Sequence, residues 1–126
     1  MSSEPRLPRI AIIGFGEVGG IFGHDLAKQG IPVSVFDILF ASGPHRQPML
    51  SKASRCGVGA RDSLKDCVSD ADLVISAVTA SSALDVAKQV GNIVRSKQVF
   101  LDINSVSPQT KRKAAGYVAR KQAIFV

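Results

Sequence analysis

Residues Ile10 to Gly19, IAIIGFGEVG, join an apolar run directly to Gly14-x-Gly16-x-x-Gly19, and this junction restricts the fold more than any other part of the chain. The run has the length of one buried strand, and the glycine spacing lets a strand turn at once into a helix. In such a turn the first glycine permits the tight bend, the second admits an anion close to the backbone, and the third lets the helix pack on its strand. The leading N–H groups of a helix have no internal acceptor, so they face whatever lies beyond its start. Gly14, Phe15, Gly16, Glu17, Val18 and Gly19 are therefore expected to form a phosphate cradle.

Downstream, Val18, Ile21, Phe22 and Leu26 recur at helical spacing up to a stop at Gly30, which predicts a helix packed through those side chains. Asp25 falls on the same face, so it is expected to be partly buried and to take a hydrogen bond. A second strand, PVSVFD, ends at Asp37, 18 residues past Gly19. That is close to the spacing at which a carboxylate meets the adenosine ribose of a dinucleotide. The alternative is a plain glycine turn followed by a solvated aspartate. Asp37 suits a 2′-hydroxyl and repels a 2′-phosphate, and Ile38 rather than arginine follows it, so NAD is favoured. Arg46 and Lys52 could reach a phosphate and leave NADP open.

The remaining sequence alternates in the same manner. Residues 38–55 read as irregular, broken by Gly43, Pro44 and Pro48, with one short helix near the end. Cys56 to Gly59 reads as a brief strand, and Asp62 or Ser63 caps a helix that packs Leu64, Cys67 and Val68. Ala71 to Val78 is apolar enough for a central parallel strand. Ser82-x-x-Asp85 has the form of a capping box for a helix packing Ala83, Val86, Ala87 and Val90. Gln98 to Asp102 is a further strand, Ser107-Pro108 opens a helix to about Arg120, and the apolar run Ala123 to Val126 follows. The expected fold class is α/β: a Rossmann-type, doubly wound parallel sheet in three layers, spanning residues 9–126 behind a frayed tail of residues 1–8. Ligands of such sheets sit beyond the carboxyl ends of the strands. That rule adds Val78 and Thr79, and Asn104 and Ser105, to the expected contacts, against the plainer reading that they are turn and cap residues.

Composition narrows the class. With 126 residues and 45% apolar content the chain can build a core, and no apolar stretch approaches the roughly 20 residues of a membrane span. The beginning lacks the basic start and apolar centre of a signal peptide, so a cytoplasmic location is expected. The net charge of +6 is concentrated in Lys111, Arg112, Lys113, Arg120 and Lys121, leaving eleven basic against ten acidic side chains elsewhere. Without interleaved aromatic rings this reads as a solvated or partner-facing helix, not a nucleic-acid surface. Cys56 and Cys67 have no zinc-like spacing and are expected as reduced thiols, Cys67 buried. His24, His45, Lys28 and Lys88 read as surface residues, so no catalytic residue is assigned within the chain.

Three segments resemble the amino-terminal half of the β-hydroxyacid dehydrogenases, the family that includes 6-phosphogluconate dehydrogenase, 3-hydroxyisobutyrate dehydrogenase and tartronate semialdehyde reductase. IIGFGEVGGIFGHDLAKQG is similar to the family's opening pattern, LVISAVTASSAL to its fourth strand and loop, and FLDINSVSPQT to its fifth-strand motif. The family often has asparagine in place of Asp25 and small residues or methionine in place of Phe22 and Gly23. The resemblance implies hydride transfer between a nicotinamide cofactor and a 3-hydroxy acid, with the pyrophosphate on Gly14 to Gly19 and the adenosine ribose on Asp37. It also implies that Val78 and Thr79 border the adenine side, and Asn104 and Ser105 the nicotinamide ribose. In that family the substrate segment and the active-site lysine and asparagine come later than the strand at Val126. The resemblance therefore implies a cofactor-binding part, inactive alone, of a longer homo-oligomeric enzyme that meets its small hydroxy acid only through a helical domain. A non-catalytic dinucleotide sensor or an interaction domain is the alternative.

Overall fold

The computed structural model describes residues 6–41 and 43–126. Strands β1 (Ile10–Ile13), β2 (Val33–Phe36), β3 (Gly59–Ala60), β4 (Leu73–Ser76), β5 (Val99–Asp102) and β6 (Ile124–Phe125) alternate with five α-helices. These are α1 (Glu17–Lys28), α2 (Arg46–Cys56), α3 (Leu64–Ser69), α4 (Ala83–Gly91) and α5 (Pro108–Ala119). All neighbouring strands pair in parallel, in the order β3-β2-β1-β4-β5-β6. This is the expected doubly wound sheet, with β1 and β4 adjacent where the winding reverses. The proposed tail falls largely on residues 1–5, outside the described residues. Arg6 is exposed but pairs with Asp72 at 3.1 Å, and the Arg9 N–H donates to the same carboxylate at 2.8 Å.

Successive residues of β1 face opposite sides of the sheet and divide the core in two. Ile10 and Ile12 join Phe15, Val35, Phe40, Ala53 and Ile75 under α1 and α2. Ala11 and Ile13 join Cys67, Val68, Val74, Val90, Phe100 and Val118 under α3, α4 and α5. Burial pushes the Cys67 thiol up to about 12, and its Sγ contacts the Ile12 carbonyl at 3.9 Å.

Helix α1 packs differently from the expectation. Val18, Ile21 and Phe22 are 51%, 56% and 44% exposed, and the buried positions are Gly19, Gly20 and Gly23. The tight turn brings α1 so close to the strand that a Cβ at Gly19 would lie 2.0 Å from the Gly14 carbonyl oxygen. Only the glycine ridge fits there; Val18, Ile21 and Phe22 are turned outward, while Leu26, a turn further on, packs against the core as expected. Asp25 shares that outward face: it is exposed and has no hydrogen-bond partner among the described residues, so its expected burial is wrong.

Residues 38–55 hold a 3-10 turn (Ile38–Phe40) and the eleven-residue α2, because Pro48 lies in the first helical turn, where the missing N–H costs nothing. Cys56 closes α2, Gly57 ends it with φ +76°, and the third strand is only Gly59–Ala60. Ser82 does not form a capping box. A 3-10 turn, Ala80–Ser82, precedes α4 and gives Ser82 near-helical dihedrals, so its hydroxyl accepts from Thr79 Oγ1 at 3.1 Å while Asp85 takes Gln89 Nε2 at 2.7 Å. Ser63 and Ser107 cap α3 and α5 as expected.

Two helical glycines should respond with opposite sign. At Gly91 a Cβ would lie 2.6 Å from the Tyr117 carbonyl oxygen across the α4–α5 contact, so Gly91→Ala should cost about 1–3 kcal/mol in urea unfolding. Gly116, exposed on α5 with open space around it, should gain up to about 1 kcal/mol on Gly116→Ala. The thiol gives a pH signature. The unfolded chain loses the Cys67 proton near 9.0 and the folded chain keeps it to about 12, so this contribution to stability should be intact below pH 9 and lost progressively above it.

Candidate functional site

The turn between β1 and α1 lies at the carboxyl edge of the sheet. Gly14 has φ +94°, and a Cβ there would meet the Ala77 carbonyl oxygen at 2.2 Å, so the turn and the end of β4 touch backbone to backbone. At Gly16, which is exposed, no described residue beyond its chain neighbours comes within 4 Å of the Cβ position. The N–H groups of Gly16, Glu17, Val18 and Gly19 have no acceptor among the described residues, whereas the Gly20 N–H returns to the Gly16 carbonyl at 2.9 Å. An open second glycine beneath unclaimed amides at a helix start fits a phosphate group.

Phe15 does not face this space. Its ring is fully buried, its N–H donates to Asp37 Oδ2 at 2.8 Å, and its carbonyl accepts from Lys52 Nζ at 3.0 Å. Asp37 sits directly after β2, half-buried, with Oδ1 accepting from the Leu39 N–H at 2.9 Å. The carboxylate is thus a clasp on the glycine turn, and each oxygen retains lone-pair capacity toward solvent-side donors. Arg46, one of the two cations that left NADP open, donates to the Phe40 carbonyl. Lys52, the other, reaches the Phe15 and Gly16 carbonyls instead of open solvent.

Beyond the turn, Val18, Ala77, Val78, Ile103, Asn104 and Ser105 line a cavity of about 280 Å³ at the ends of β4 and β5. Asn104 is buried and bridges those strands: its Oδ1 accepts from the Val78 N–H at 2.8 Å and its Nδ2 donates to Ser76 Oγ at 3.0 Å. Its amide is largely committed to the scaffold, and Ser105 beside it is exposed. Thr79 is exposed, with Oγ1 bonded to the hydroxyls of Ser81 and Ser82. A second cavity of the same size lies at the starts of β1 and β2 against α3, away from the glycine turn.

The sequence reading missed what supports Asn104. The Asp102 side chain is 1% exposed; its Oδ1 accepts from the Asn104 N–H at 2.8 Å and from Lys111 Nζ at 3.1 Å, and Lys111 also reaches the Asp102 carbonyl at 2.8 Å. Lys111 therefore leaves the solvated basic face assigned to it, while Arg112, Lys113, Arg120 and Lys121 are exposed as expected. His24, His45, Lys28 and Lys88 are all exposed.

Residues 9–105 match the family described as NADP oxidoreductase, coenzyme F420-dependent. The chain belongs to this family. It is 30% identical over 117 residues to 3-hydroxyisobutyrate dehydrogenase of Pseudomonas aeruginosa, covering 89% of this chain and 37% of that enzyme. It is 36% identical over 116 residues to an uncharacterized 28.5 kDa protein of Methanothermus fervidus, covering 92% of this chain and 43% of the relative. A solved structure of a conserved hypothetical protein from Sinorhizobium meliloti superposes with a TM-score of 0.90 at 29% identity, over 95% of this chain and 40% of that one. The chain spans well under half the length of each of these relatives. The likeness to the β-hydroxyacid dehydrogenases read from its motifs is thus carried by overall sequence and by fold. The glycine turn and the crevice at the ends of β4 and β5 adjoin one another, Val18 of the helix start forming part of the crevice wall.

The Asp102–Lys111 pair is open to direct test. Lys111→Met leaves a buried carboxylate without its cation, and since Lys111 is about one-third exposed, water offsets part of the loss. We expect a destabilisation of about 2–3 kcal/mol in chemical denaturation. A change under about 0.5 kcal/mol would mean that the ion pair contributes nothing to the fold.

Proposed function

We propose that this chain is the dinucleotide-binding part of an oxidoreductase that moves a hydride between a nicotinamide cofactor and a small 3-hydroxy acid. The observation that carries the reading is the set of unclaimed amides at Gly16 to Gly19 at the carboxyl edge of the sheet, with open space at the exposed Gly16. A bound dinucleotide would supply the hydride donor or acceptor; the residues of this chain bind and orient it. The pyrophosphate would rest on the amides of Gly16, Glu17, Val18 and Gly19, with Gly14 and Phe15 shaping the turn. Asp37 would accept from the adenosine ribose hydroxyls. Val78 and Thr79 would border the crevice, with Ser105 toward the nicotinamide ribose and Asn104 holding that edge in place.

The kinship with 3-hydroxyisobutyrate dehydrogenase supports the substrate class, and the share of the relatives' length that the chain spans supports a further substrate domain. That domain would supply the acid–base group, and self-association of the longer protein belongs to the same reading. No helix of the described residues is long and apolar enough to cross a membrane.

The family's name refers to NADP, but the side chains favour NAD. A 2′-phosphate would stand against the Asp37 carboxylate, and the cations at Arg46 and Lys52 are already turned to backbone carbonyls. At a concentration about 100 times its Kd, NAD should stabilise the chain by about 2.7 kcal/mol. NADP should bind more weakly, and Asp37→Asn should narrow that preference by about tenfold in calorimetry. If neither coenzyme shifts the melting midpoint at millimolar concentration, the chain is a scaffold or interaction domain.

A further inference from the structure

We infer that Lys52 is a positioning residue for the cofactor's pyrophosphate, acting through the glycine turn and seated in a notch that Gly20 leaves open. This rests on the dinucleotide reading above and adds a residue from α2 to it. Lys52 Nζ donates to the Phe15 carbonyl at 3.0 Å and to the Gly16 carbonyl at 2.9 Å. It also stands 4.5 Å from the centre of the Phe15 ring. The described residues contain no cis peptide, and in a trans peptide the C=O and N–H point in opposite directions. The Phe15 carbonyl shares its peptide with the Gly16 N–H, and the Gly16 carbonyl shares its peptide with the Glu17 N–H. By drawing the Phe15 carbonyl toward α2, the ammonium turns the Gly16 N–H the other way; at the Gly16 carbonyl it adds to the bond from the Gly20 N–H and so helps hold the Glu17 N–H outward, and both amides are among the unclaimed donors.

Charge argues in the same direction. A cation beside the first turn of a helix opposes the helix dipole, so the stability of α1 gives no reason to place one there. No carboxylate among the described residues pairs with Lys52. An ammonium with no carboxylate at ion-pair distance, set behind a row of free N–H groups, raises the potential where a pyrophosphate would bind. Space for it is specific: a Cβ at Gly20 would meet Lys52 Cε and Nζ, each at 2.9 Å. Gly20 is buried, so a side chain there would displace the lysine head, the more flexible of the two partners.

The test measures binding of ADP-ribose and of adenosine to the 126-residue chain, with circular dichroism and thermal midpoints as folding controls. Lys52→Met should weaken ADP-ribose by about tenfold, as expected for losing a charged hydrogen-bonding group. Adenosine, followed by NMR titration, should bind as before. Gly20→Ala should produce the same selective loss, and the double variant should lose no more than the worse single one, because both changes remove one contact. The Gly16 and Glu17 amide resonances should shift in both single variants before any ligand is added. The inference is overturned if Lys52→Met leaves ADP-ribose within about twofold of the parent, or if adenosine weakens in parallel. Additive losses in the double variant would overturn the shared notch. A parent chain that binds neither ADP-ribose nor either coenzyme would defeat the dinucleotide reading itself, an outcome distinct from the failure of Lys52 alone.

Discussion

Helix α1 begins where it does because backbone meets backbone at two points. The Gly14 position abuts the Ala77 carbonyl, and Gly19 rests on the Gly14 carbonyl, each closer than any side chain would allow. These contacts bring the start of a helix, with its unpaired donors, to the carboxyl edge of a buried parallel strand. Everything polar in the candidate site is arranged around that placement. Were the helix to stand one side chain further off, its amides would lose their relation to the end of β4, and Asp37 could not reach the Phe15 N–H.

Around that contact the turn is held from two sides. Asp37 takes the N–H on one side of Phe15, and Lys52 takes the carbonyl on the other. The Phe15 ring is packed near Phe40 in the core below. A short glycine-rich turn would otherwise be the most mobile part of the sheet edge, because glycine has the largest conformational freedom to lose. Fixing its peptide planes in the folded chain means that a bound anion need not supply that ordering. Preorganised donors are more effective than donors that must reorient on binding.

How much of this could be read from the chain depends on whether the signal was local. The alternation of strands and helices, the glycine turn and the position of Asp37 are set by neighbours within a few residues, and the sheet order follows from the handedness of the crossovers. Hydropathy registers side chains, and the inward face of the first turns of α1 is defined by their absence at Gly19, Gly20 and Gly23, so it leaves no apolar signal. Asp25 follows the exposed ridge of Val18, Ile21 and Phe22 into solvent for the same reason. The length of α2 was obscured by Pro48, which breaks a helix only beyond its first turn. The composition of residues 38–55 marks Lys52 as a cation near the site, but its acceptors lie on a different helix–strand unit, and no spacing rule connects α2 to the carbonyls of Phe15 and Gly16.

Asp102 shows how a strand end can carry a structural role that its sequence position conceals. A carboxylate at the close of a strand ordinarily meets water, yet here β6 lies alongside β5, α5 folds over its end, and the side chain is enclosed. Burial of that charge is tolerable only with a cation and hydrogen-bond donors close by, which Lys111 and the Asn104 N–H provide through Oδ1. Its second oxygen, Oδ2, has no partner among the described residues. An arrangement this demanding is poorly explained as a source of stability, since an apolar residue would fill the same volume at less cost. It fixes direction instead. Asp102 sets the backbone at Asn104, Asn104 ties Val78 and Ser76 across the crevice, and the ends of β4 and β5 are kept in register on the side of the sheet that the glycine turn faces.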